Sequence, residues 1–166
     1  EEFNEPDFVL IDTPGQMELF AFRQIGPHVA SSLGFSGINR GISFLFDPLM
    51  CNKPSGFIST ALLAASVQFR FIDMPIMNVL TKSDLIDEER IDKIVEWSTD
   101  PYTLEEDILN LEHGMIKEMN VMISRIIPEL TAHSEILPVS AYDHSGMDEY
   151  FGALQRFAQS EDSKFT

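Results

Sequence analysis

Four short apolar runs punctuate the chain, and each gives way to a polar residue. Phe8-Val9-Leu10-Ile11 stops at Asp12, Ile42-Ser43-Phe44-Leu45-Phe46 at Asp47, Pro75-Ile76-Met77-Asn78-Val79-Leu80 at Thr81, and Ile136-Leu137-Pro138-Val139 at Ser140. Runs of this length and content predict strands covered on both faces, as in a parallel sheet. Helix-sized segments lie between them. A helix is expected from 16 to about 32, broken or kinked by Gly26-Pro27, before a Gly/Ser-rich connection at 34–41. A second helix follows the 52–56 loop and runs to about 70, with Ser55 or Ser59 as its cap. An acidic third helix covers 85–97, and a turn follows at 98–102. Thr103, ahead of Glu105-Glu106, is placed to cap a fourth helix that runs to Ile127 and stops before Pro128. Along that helix Ile108, Leu111, Met115, Met119, Met122 and Ile126 recur at three- and four-residue steps, one apolar face expected in the core or at a dimer interface. Adaptable Met surfaces also suit partner binding. A loop at 140–146 leads into a closing helix over 147–159. The alternation predicts an α/β, three-layer fold with a mostly parallel sheet, helices on both faces and a helical insertion over 87–128 before the last strand.

At 166 residues, 44% of them hydrophobic, the chain is sized for a single domain with a real core. Charge changes the picture more. Against 11 bases stand 27 acids, a formal net charge of −16, and a field of that sign argues against nucleic acid and anionic membrane as direct partners. A phosphate ligand would need local amides, a cation and Mg²⁺ to overcome it. Cys51 is the single cysteine, so no internal disulfide forms, in keeping with a reducing cytoplasm. No apolar run approaches the roughly 20 residues of a membrane span. His28, His113, His133 and His144 are scattered without metal-ligand spacing and read as surface or helix-end residues.

Candidate chemistry sits at the strand ends. In an open α/β sheet, ligands bind beyond the carboxyl ends of the strands. Asp12 occupies such a position, followed by Thr13-Pro14-Gly15-Gln16, although Asp-x-x-Gly by itself is also an ordinary strand-to-helix turn. Thr81-Lys82-Ser83-Asp84 occupies another. A carboxylate there can accept both N1–H and the 2-amino group of guanine, and adenine has no such donor pair, so Asp84 favours a guanine over an adenine nucleotide. Lys82 would lay its aliphatic stem over the purine face. Lys-x-Asp also ends many strands with no ligand at all. Ser140-Ala141 follows the last strand and carries little information alone. Asp47 reads equally as a second site acid or as a strand-end cap. The Asp87-Glu88-Glu89-Arg90 run is a solvated helix start favoured by the helix dipole.

Asp12-Thr13-Pro14-Gly15-Gln16-Met17-Glu18 resembles the switch motif of P-loop GTPases, in the form of the GPN-loop subgroup. The Phe46-Asp47 strand end, the Thr-Lys-x-Asp-Leu form at 81–85, Ser140-Ala141 and the long helical insertion extend the resemblance over essentially the whole chain. It implies a P-loop NTPase-like fold and a GTP-binding, GTP-hydrolysing molecular switch that uses GTP/GDP and Mg²⁺, acts as a homodimer or paralogue dimer, and serves assembly of larger complexes with protein partners. Carried over by position, Asp12 would reach Mg²⁺, usually through water. Gly15 would meet the γ-phosphate with its amide, Gln16 would orient the attacking water and Glu18 would assist it. Thr81, Lys82, Asp84, Ser140 and Ala141 would hold the base, the last two through backbone N–H on the guanine O6. Catalysis of this kind is positioning and charge stabilisation.

One departure from the family is large. No G-x-x-x-x-G-K-[ST] occurs, and the naming Gly-Pro-Asn is absent; Gly26-Pro27-His28 is not it. Both lie upstream of the switch motif in the family. The start at Glu1-Glu2-Phe3 therefore reads as a piece of a longer polypeptide that lacks the phosphate cradle and the strand next to Asp12. This chain alone is then expected to hydrolyse little or no GTP. The alternative reading is a non-catalytic protein-interaction module with a GTPase-like shell. An ATP-dependent P-loop enzyme is disfavoured by Asp84.

Overall fold

The computed structural model describes residues 8–13, 20–23, 25–32, 40–130 and 135–159, the last three by backbone only. Its centre is a parallel sheet of β1 (Ile42–Phe46), β2 (Ile76–Leu80) and β3 (Leu137–Pro138) in the order β1-β2-β3. Register aligns Leu45 with Val79 and Val79 with Leu137. Around it lie α1 (Ile25–Ser32), α2 (Pro54–Arg70), α3 (Glu88–Thr99), α4 (Pro101–Leu111), α5 (Gly114–Ser124), the short α6 (Ile127–Leu130) and α7 (Met147–Gln159). No helix among the described residues is long and apolar enough to cross a membrane.

The pleat sends alternate side chains to opposite faces. Phe44, Phe46 and Leu80 join Phe57, Ile58 and Ala61 of α2, Ile94 and Trp97 of α3, and Leu104 and Ile108 of α4 in the larger core. Aromatic rings run through it from Phe44 to Phe46, Phe57 and Trp97 at centroid separations of 5.5, 6.2 and 5.7 Å. The Trp97 indole N–H donates to Asp107 Oδ2 at 2.7 Å, so α3 and α4 are tied where the ring is buried. On the other face Met77, Val79 and Val139 pack against Ala153, Tyr150 and Leu154 of α7. Helices therefore cover both faces of the sheet, and α3 to α6 form the insertion between β2 and β3.

Several expected elements differ. Residues 8–13 are no strand: Val9 and Leu10 are 71% and 75% exposed. Backbone groups of a strand must find a neighbour, and among the described residues none pairs with this segment; Phe8 instead leans on Phe151 of α7, ring centroids 5.7 Å apart. Gly26 and Pro27 lie in the first turn of α1, where a proline forfeits no helical hydrogen bond. A side chain at Gly26 would strike the Phe20 carbonyl at 2.0 Å. Neither Ser55 nor Ser59 caps α2; Lys53 stands at the cap without a side-chain bond, and Pro54 opens the helix. The expected acidic helix is a turn at Ser83–Leu85 followed by α3, capped by Asp87.

The helix expected from Thr103 to Ile127 is two. Asp100 caps α4, accepting from Tyr102 N at 2.9 Å and from the Thr103 hydroxyl at 2.8 Å. The chain reverses through Glu112, His113 and Gly114, whose φ is +67°. The nested contacts Arg125–Glu105, at 3.0 and 2.8 Å, and Lys117 Nζ to Leu109 O, at 2.8 Å, make α4 and α5 an antiparallel hairpin. Pro128 begins α6 instead of ending a helix. Folding back buries Leu104 and Ile108 but leaves Met115, Met119 and Met122 exposed, so the methionine stripe is not core.

Candidate functional site

At the carboxyl ends of the three strands the chain makes three turns that hold one another. Thr81 binds the end of β1 twice, N–H and hydroxyl both donating to Phe46 O at 3.0 and 3.1 Å. Ser83 N–H donates to Val139 O at 3.1 Å, and Val139 N–H to Leu80 O at 2.8 Å. Strand ends and loops are thus pinned by backbone bonds, a rigid base for side chains. Lys82 takes a left-handed conformation, φ 53°, uncommon for a residue with a Cβ and typical of functional sites. Its ammonium lies 3.0 Å from Asp47 Oδ2. Asp47 Oδ1 meanwhile accepts from Leu49 N–H at 2.9 Å. The Lys82 hydrogen bond, helped by backbone N–H groups, holds the Asp47 carboxyl below its ordinary range against the opposing effect of burial.

Ser140 organises the third turn. Its buried hydroxyl accepts from Tyr142 N and Asp143 N at 3.1 and 3.3 Å and donates to Asp84 Oδ1 at 2.6 Å. Since that oxygen already accepts two N–H groups, its one proton goes to Asp84. Downstream, Ser145 bonds Asp143 Oδ1 through N–H and hydroxyl at 3.0 and 2.7 Å, lowering the Asp143 pKa. Gly146 closes the turn with φ +69°, where a Cβ would lie 2.0 Å from the Pro138 carbonyl oxygen. Only glycine fits there.

These turns border a cavity of about 500 Å³. Thr81, Lys82, Asp84, Leu85, Ala141 and Tyr142 form its strand-end side, and Leu45, Val79, Val139, Met147 and Tyr150 its apolar side. A flat, mostly apolar ring with a polar edge suits such a lining. Asp84 is exposed, and Oδ2 has no partner among the described residues, so the carboxylate is available to N–H donors. The structure therefore brings Thr81, Lys82, Asp84, Ser140 and Ala141 together. Asp12 is exposed and does not line this cavity. Gly15, Gln16 and Glu18 lie outside the described residues. No group of three or more His, Cys, Asp or Glu side chains among the described residues is arranged to hold a metal ion. Asp12 by itself does not make up a complete Mg²⁺ site.

Asp47 proves to be a strand-end cap that also pairs with Lys82. Tyr142 and Tyr150 were not singled out from the sequence. Tyr142 was findable, standing next to Ser140-Ala141; Tyr150 was not, because its hydroxyl reaches Ser43 Oγ at 2.9 Å across 107 residues.

A parallel sheet between helical layers, with ligand-type residues gathered at its carboxyl edge, defines an α/β protein of the P-loop NTPase-like class. A sequence model of the family described as "Conserved hypothetical ATP binding protein" matches residues 1–160, and the chain belongs to that family, which here comprises the GPN-loop GTPases. Among its relatives, GPN-loop GTPase 1 of Dictyostelium discoideum is 26% identical over 153 residues, covering 92% of this chain and 37% of that protein. GPN-loop GTPase PAB0955 of Pyrococcus abyssi is 27% identical over 145 residues, covering 87% of this chain and 56% of that protein. The crystal structure of PAB0955, described as a GTPase in apo form, superposes with a TM-score of 0.70 at 23% identity over 92% of this chain and 58% of that one. That likeness speaks for the fold. The chain spans between about a third and three-fifths of these relatives' lengths.

Proposed function

We propose that this chain is the guanine-recognition and switch portion of a GTP-binding, GTP-hydrolysing molecular switch. The observation that carries the reading is the Asp84 carboxylate, oriented by the Ser140 hydroxyl at 2.6 Å beside a cavity walled by Lys82 and Ala141. Asp84 would accept the guanine N1–H and 2-amino group, Lys82 would cover one purine face, and the backbone at Ser140 and Ala141 would meet O6. The family's description speaks of ATP, but adenine offers Asp84 no pair of donors.

On this reading the domain is incomplete on its phosphate side. In a parallel ladder alternate residues bond the same neighbour. Ile42 and Phe46 bond toward β2, so the N–H and C=O of Ser43 and Leu45 point to the other edge, where no strand lies among the described residues. Leu45 is 60% exposed beside that edge. A further strand with a phosphate-binding loop, from chain outside these 166 residues, would fill it, and the chain alone would hydrolyse little or no GTP. Asp12 as the Mg²⁺ carboxylate, Gly15, Gln16 and Glu18 at the γ-phosphate, a homodimer or paralogue dimer, protein partners and a cytoplasmic site of action belong to the same proposal.

A second reading, a protein-interaction module, draws on the exposed methionines of α5. Asp84→Asn separates the two. The switch reading expects preference to move from guanine to xanthine nucleotides, and the interaction reading expects no nucleotide preference in either protein.

A further inference from the structure

We infer that Asp47 is a positioning residue for the purine site, anchoring the Lys82 ammonium so that the lysine stem is held as a wall of the cavity before any ligand arrives. The inference rests on the guanine-site reading and names a residue that the base motif does not include. Lys82 is fixed at both ends. Its backbone is set in the left-handed region between Thr81, bonded twice to β1, and Ser83, bonded to Val139 O. Its far end meets Asp47 Oδ2 at 3.0 Å. Asp47 is fixed in turn, because Leu49 N–H occupies Oδ1 and leaves Oδ2 for the lysine. Four methylenes are thereby strung between the ends of two neighbouring strands, and Lys82 lines the cavity.

Free lysine side chains lose considerable rotamer entropy on being ordered. A stem ordered in advance loses less when a ring stacks on it, which is the advantage of preorganisation. Both members remain partly exposed, with side chains 59% and 37% accessible. The pair is therefore weak and open to screening by salt. Its consequence is geometric.

Asp47→Asn is the discriminating substitution, because the amide oxygen still accepts from Leu49 N–H while the charge is lost. Asp47→Ser provides a second variant should that protein fail to fold. GDP affinity of this chain is expected to fall about two- to fivefold, with guanine-over-xanthine preference unchanged because Asp84 is untouched. The wild-type advantage should shrink toward unity as salt approaches about 1 M. In a Lys82→Met background, which keeps the stem and removes the ammonium, Asp47→Asn should change nothing. A structural role alone would lower affinity in both backgrounds equally. A ligand-free measurement runs alongside: side-chain NMR relaxation of Lys82 should show it restrained in the wild type and as mobile as other exposed lysines in Asp47→Asn. GDP binding that Asp47→Asn leaves unchanged, or Lys82 equally mobile in both proteins, overturns the positioning role alone. A wild-type chain that binds no GDP overturns the guanine-site reading and the positioning role with it.

Discussion

Residues 8–13 and β2 are both short apolar stretches that run into a polar turn, yet they end in opposite environments. Leu80 of β2 is fully buried, flanked by β1 and β3 and covered by α2, while Leu10 is 75% exposed and, among the described residues, has no strand beside it. Asp84, just past β2, is oriented by Ser140; Asp12 is exposed away from the cavity. What separates them is the presence of neighbours. An apolar run becomes a strand when its backbone groups are bonded on the flanks and its side chains have layers to enter, and a strand-end acid joins a site when a second loop reaches it.

The largest expected effect follows directly. Leu80→Ala empties a fully buried position and should cost about 2–5 kcal/mol in urea unfolding. Leu10→Ala should stay within about 0.5 kcal/mol. Equal costs would break the comparison, since they would mean that Leu10 is buried in solution. Next comes Gly146→Ala. A methyl group there meets the Pro138 carbonyl oxygen on a backbone with φ +69°, and a loss of about 1–3 kcal/mol is expected, with weakened guanine binding because Ser140, whose hydroxyl orients Asp84, sits on the same turn. An unaltered midpoint would show that this turn is not held as described.

How much of this was legible in the chain depends on whether the deciding contacts were local. The β1 and β2 strands and the grouping of Thr81, Lys82, Asp84, Ser140 and Ala141 could be read, because each lies where a buried run meets polar residues. Pairing is not written locally, and so 8–11 looked like β2. Nor is a reversal visible when apolar spacing continues through it: Leu111 and Met115 keep helical phase across Glu112-His113-Gly114, although the chain turns back there. The cap of α4 is hidden for a similar reason, since Asp100-Pro101 starts α4 a turn earlier than Thr103 implies.

Acid titration offers the smallest effect and the finest distinction. Ser145 lowers the Asp143 carboxyl through its backbone N–H and hydroxyl, and Lys82 chiefly lowers that of Asp47. A depressed folded-state pKa contributes stability above the unfolded carboxylate value of about 3.9, and the contribution is lost as pH falls through the folded value. Unfolding midpoints should therefore decline below about pH 4, and Asp143→Asn should flatten that decline slightly. A decline unaffected by the substitution would remove Asp143 from the account.

The most direct test is calorimetric titration of wild-type and Asp84→Asn protein with GDP, ADP and XDP. Ser140 donates its only available proton to Oδ1, so an asparagine at 84 must keep its carbonyl oxygen there and turn its NH₂ toward the ligand. That NH₂ complements the 2-oxo group of xanthine and opposes the donors of guanine. The account predicts GDP preferred over ADP and XDP by the wild type, and XDP preferred over GDP by the variant, each by on the order of tenfold or more. Equal affinities of the wild type for GDP and ADP, or a variant that still prefers GDP, would contradict it.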